Sequence, residues 1–137
     1  MSAESGPPPV NILMVDDDAD ILLSIGRLVE RGIPGARFLA ARSAEEGMRI
    51  LGRERIDLIV SDFRMPGVNG VDFLQAAKKA HPYVVSVMVT AYPNPQLAVD
   101  AVHLGGVVFL ITKPFDPGYF VSLLKSLSEA KHHEPVP

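Results

Sequence analysis

The chain has 137 residues, 47% hydrophobic and 21% charged, with a formal net charge of −3. That is enough apolar content for one domain-sized core, and it gives no basic footprint for nucleic acid. The absence of cysteine excludes disulfide frameworks, thiolate catalysis and cysteine-bound zinc together. No apolar run reaches the roughly 18 residues of a membrane span and no signal-peptide pattern opens the chain, so no nucleic acid or membrane is expected as a direct partner and a cytoplasmic location is expected.

Segment 1–9 is proline-rich and segment 131–137 is polar; both read as disordered ends or cut linkers around one domain at 10–130. The domain opens on the apolar run "NILMV", followed by a helical stripe of Ile21, Leu22, Ile25, Leu28 and Val29. "ARFLA" comes next, then Ser43 with Glu46 three residues on, a capping box that starts a helix with Ala44, Gly47, Met48 and Leu51 on one face. "DLIVS" follows and runs into Met65-Pro66-Gly67 and Asn69-Gly70, which read as turn chemistry. After "VVSVMV", Asn94-Pro95 places an N-cap residue before a proline at N1, and after "VVFLI", Asp116-Pro117 does the same ahead of Phe120, Leu123, Leu124 and Leu127. Short runs rich in β-branched residues, apolar throughout, suit strands buried on both faces. Five of them alternating with five helices predict an α/β fold, a doubly wound parallel sheet with helices on both faces and a crevice at the carboxyl ends of the strands.

Those ends carry Asp16, Asp17 and Asp18 after the first strand, Ser61-Asp62 after the third, Thr90 after the fourth and Lys113 after the fifth. Two like charges about 4 Å apart repel by about 4 kcal/mol at an effective dielectric of about 20. Such a rim therefore needs a cation, and an all-oxygen pocket suits Mg²⁺. A hard metal beside a carboxylate, a hydroxyl and a lysine is apparatus for phosphoryl transfer, where the protein supplies positioning and charge neutralisation. Asp18 and Asp20 read instead as N-cap and first-turn residues. The histidines at 81, 103, 132 and 133 are scattered and read as structural or solvated. A calcium loop beginning at Asp16 fails, because its sixth position is Ile21 and its twelfth is Arg27.

"VDDD", "VSDFRMPGVNG", "MVTAY" and "ITKPF", in that order on those strands, resemble the receiver domain of two-component response regulators. The resemblance implies a flavodoxin-like sheet of order 2-1-3-4-5. It implies Asp62 as phosphoacceptor, Asp17 as a direct Mg²⁺ carboxylate, Asp16 as a ligand through water, and the Arg64 backbone carbonyl as a further ligand. Thr90 and Lys113 would bind the phosphoryl group, and the Lys113-Pro114 bond would be cis. The donor would be a histidine kinase or a histidine phosphotransfer protein. An unknown output partner would be reached through the face of helix 4, strand 5 and helix 5.

Two rivals remain at this point. One is a phosphatase resembling the haloacid dehalogenase superfamily, with Asp16 as nucleophile; Asp20 in place of its threonine or valine and the lack of an acidic pair after Lys113 count against it. The other is a receiver-like interaction module that is never phosphorylated. The chain also departs from the receiver pattern, since Leu110 stands where the resemblance implies a switching Tyr or Phe, and Phe109 should face the other side of the sheet. Tyr92 is the expected substitute in a switch with Thr90. The resemblance implies that the side chains of Arg64 and Tyr92 flank the line along which water would attack an aspartyl phosphate; neither can orient that water, so a slowly decaying phosphorylated state is expected.

Overall fold

The computed structural model describes residues 9–132. Its elements alternate as expected: β1 (Val10–Val15), α1 (Ala19–Gly32), β2 (Ala36–Ala41), α2 (Ala44–Arg53), β3 (Leu58–Asp62), α3 (Gly70–Ala80), β4 (Val85–Thr90), α4 (Pro95–His103), β5 (Val107–Thr112) and α5 (Pro117–His132). All four strand pairings are parallel and the order is β2-β1-β3-β4-β5. Helix α5 continues through Lys131 and His132, past the domain boundary expected at 130. The other expected terminal residues, 1–8 and 133–137, lie outside the described residues.

Strand alternation divides the core in two. Val10, Ile12 and Met14 of β1 pack with Leu22, Ile25 and Val29 of α1 and with Phe120 and Leu124 of α5. Leu13 and Val15 face the other way, onto α2, α3 and α4, with Ile50, Leu51, Phe73, Leu74, Leu97 and Ala101. Each fully buried aliphatic or aromatic side chain contributes roughly 1.5–3 kcal/mol of transfer free energy. The central strand β3 is buried along its whole length, whereas the outer strands β2 and β5 are partly open. A register shift where Ser86 and Val87 of β4 meet β5 leaves Val108 as an extra residue.

Helix starts follow the local chemistry. Asp18 caps α1, its carboxylate accepting from the Asp20 and Ile21 backbone N–H groups. Asn94 caps α4 through the Leu97 N–H, and Asp116 accepts from the Tyr119 N–H at 3.1 Å. The Ser43 hydroxyl accepts from the Glu46 N–H at 3.1 Å. The return bond of that box differs from the expected one, because Glu46 accepts from the Arg42 N–H at 2.8 Å rather than from Ser43. Asn69, read as a turn residue, is the N-cap of α3, accepting from the Asp72 N–H at 2.9 Å.

Candidate functional site

Parallel pairing brings the carboxyl ends of β1, β3, β4 and β5 to one rim. Val15 lies beside Ser61, Asp62 beside Val89, and Thr90 beside Thr112, so the residues just beyond these positions converge. One carboxylate oxygen each from Asp16, Asp17 and Asp62 lie within 4.8 Å of one another. Lys113 reaches into this cluster from the β5 end, its Nζ 3.1 Å from Asp16 Oδ2 and 3.3 Å from Asp62 Oδ2. The Lys113-Pro114 peptide is cis.

The three carboxylates are not equivalent. Asp16 is fully buried, and its other oxygen accepts from the Asp18 N–H at 2.8 Å, so both oxygens are engaged inside the protein. Asp17 is exposed. Asp62 is nearly buried, and its pKa is raised by burial and then by the Asp16 carboxylate, against the lowering effect of Lys113 and of the Arg64 backbone N–H. Burial also works to lower the Lys113 pKa, but the Asp16 and Asp62 carboxylates outweigh it and the net shift is upward. Three acids and one lysine leave excess negative charge in a small volume, with oxygen as the only donor atom. That donor set fits a hard divalent cation such as Mg²⁺.

Thr90 is buried, and its Oγ1 accepts from the Tyr92 N–H at 3.1 Å. Tyr92 is 64% exposed, and the Arg64 guanidinium carbon stands 4.6 Å above its ring centroid. Leu110 packs against the α2–α4 side of the core and Ile111 against the α1–α5 side, so neighbouring Phe109, 42% exposed, is not placed to replace an aromatic at 110. Gly70 makes the loop after β3 possible, since a Cβ there would lie 2.5 Å from the Asp62 carbonyl oxygen and 3.0 Å from Phe63 Cα.

Sequence reasoning missed Arg42. It follows β2, which in this strand order lies next to β1, and its Nη2 donates to the Asp17 carbonyl at 3.1 Å. With its own N–H held by Glu46, it braces the loop that carries the exposed carboxylate. Strand order was the available signal, because β2 was the one strand end left without a rim residue.

A family model described as the response regulator receiver domain matches residues 12–125. The chain is similar to the transcriptional regulatory protein GlrR of Escherichia coli (37% identity over 79% of this chain and 24% of that protein). It is also similar to the response regulator protein PilR of Pseudomonas aeruginosa (33% identity, 89% of this chain, 27% of that protein). It therefore spans about a quarter of the length of these relatives. Among solved structures, a CheY-like response regulator receiver domain protein from Methanospirillum hungatei superimposes with a TM-score of 0.85 at 28% identity, covering 93% of this chain and 99% of that one.

Proposed function

Because the chain belongs to the response regulator receiver family, whose general role is phosphoryl acceptance, we propose that Asp62 accepts a phosphoryl group from a histidine of a kinase or phosphotransfer protein and that the domain works as a cytoplasmic signalling switch. The observation that carries this reading is the single lysine shared by Asp16 and Asp62 at 3.1 and 3.3 Å, inside a cluster of three acids. Asp16, Asp17, Asp62 and the Arg64 carbonyl would hold Mg²⁺, which when bound supplies charge neutralisation of the carboxylates and of the transferred group.

The chain's own residues do the rest. An Asp62 carboxylate oxygen forms the new bond to phosphorus as the donor's N–P bond breaks, and the electron pair leaves with the imidazole. Lys113 balances the charge that arrives, and the Thr90 hydroxyl donates to a phosphoryl oxygen. Asp16 is the poorer nucleophile in the rival phosphatase sense, since its side chain is 1% exposed against 10% for Asp62. A groove of about 550 Å³ opens beside Lys113, lined by Ile21, Ile25, Pro114, Phe115 and Pro117, and would receive the apolar side of a helix presenting the donor histidine. Phosphorylation then biases the α4, β5 and α5 face toward an output partner; Val99, Val102, Val108 and Tyr119 stand exposed there.

Incubation with acetyl phosphate and Mg²⁺ tests the assignment. One phosphoryl group should be incorporated by the wild type and none by Asp62→Asn. Label that persists in Asp62→Asn and vanishes in Asp16→Asn would overturn it.

A further inference from the structure

Four residues close a circuit around the mouth of the site. The Arg64 backbone N–H faces the Asp62 carboxylate. Its guanidinium lies 4.6 Å above the Tyr92 ring, and the Tyr92 N–H is held by Thr90 Oγ1 at 3.1 Å. Strands β3 and β4 complete the loop, pairing Asp62 with Val89 beside Thr90. Among the described residues no carboxylate stands within ion-pair distance of the Arg64 guanidinium. Arg64 is thus a cation resting on a neutral ring, two residues from the carboxylate that the proposed function turns into an aspartyl phosphate.

An exposed ring is a weak partner for a guanidinium. A dianionic phosphoryl group is a much stronger one, because its oxygens match the planar fork of N–H donors. Resting on the phosphoacceptor reading of Asp62, we propose that Arg64 is a second phosphoryl-binding cation besides Lys113, held in reserve on Tyr92. When Asp62 is phosphorylated the guanidinium moves from the ring to the phosphoryl oxygens. The Thr90 hydroxyl, drawn to the same group, weakens its hold on the Tyr92 N–H. Both events free Tyr92, which becomes the moving aromatic of a chain that has leucine at 110. The ring therefore competes with the phosphoryl group for Arg64, and this gives the two residues effects of opposite sign.

Isothermal titration of the full chain with beryllofluoride, a phosphoryl mimic, at saturating Mg²⁺ reads this directly. Arg64→Gln, which keeps a neutral donor, should weaken binding by about tenfold, the loss of one charge-assisted contact. Tyr92→Ala should tighten it. In the double variant the Tyr92 effect should disappear, because the ring has no cation left to hold. Binding that is absent in the wild type, or that survives Asp62→Asn, overturns the phosphoacceptor reading and the proposal with it. Asp62-dependent binding that is unchanged in Arg64→Gln, or that is equal or weaker in Tyr92→Ala, overturns the proposal alone.

Discussion

Replacing Lys113 by methionine keeps most of its aliphatic stem and removes the one cation shared by two buried carboxylates. The Asp16 and Asp62 side chains are 1% and 10% exposed, and that of Lys113 is 20% exposed. At their separations each ion pair gives about 5 kcal/mol of attraction at an effective dielectric of about 20, before desolvation is subtracted. Breaking such a pair from one side typically costs about 3–5 kcal/mol. The metal-free variant has an escape, which is to protonate one acid. Taking up a proton at pH 7 against an unperturbed Asp pKa of about 3.9 costs about 4 kcal/mol, and at pH 5 about 1.5 kcal/mol. The expected loss is therefore about 3–4 kcal/mol at pH 7 and about 1–2 kcal/mol at pH 5.

The sign follows from proton counting. Between the unfolded and folded pKa values of the acid, the native variant binds a proton that the unfolded chain does not, so stability rises as pH falls. Asp62 in the wild type already has a raised pKa, which gives the same sign with the lysine still present to limit it. The raised Lys113 pKa acts at the other end, so its stabilisation is present below the ordinary value of 10.5 and is lost as pH climbs through the folded value above it. Urea unfolding followed by circular dichroism in EDTA, at pH 5 and pH 7, measures the difference, and Mg²⁺ should return most of it. A loss under about 1 kcal/mol at pH 7 would refute the reasoning. So would one equal at the two pH values.

Mg²⁺ should raise the melting temperature of the wild type, and Asp17→Asn should lose most of that rise; an unchanged shift would place the ion elsewhere. Gly70→Ala should destabilise the chain by about 1–3 kcal/mol and slow phosphorylation of Asp62, because the new methyl group meets backbone and the strand end must move. Unaltered urea unfolding of that variant would contradict the close approach. Radiolabel loss from phosphorylated protein should be several-fold faster in Arg64→Asn, since the guanidinium drawn to the phosphoryl oxygens shields the approach of water; equal or slower loss in that variant would show that Arg64 obstructs nothing.

Much of the molecule was legible in one dimension. Parallel strands buried on both faces need runs such as "DLIVS", and a chain alternating five such runs with five helices has few ways to cross over. The rim acids were legible for the same reason, because residues at the carboxyl ends of parallel strands must share one edge wherever else the chain goes. Asp18, Asn94 and Asp116 cap their helices as their local patterns indicate, since a cap is satisfied within three residues. Contacts between loops were decided only in three dimensions. Arg42 meets the Asp17 carbonyl 25 positions away, because β2 lies beside β1. Arg64 stacks on Tyr92 because β3 and β4 are neighbours and their loops rise together. Neither pairing carries a local signature: a long side chain on a loop has many neighbours within reach, and only the packed arrangement of the loops selects one.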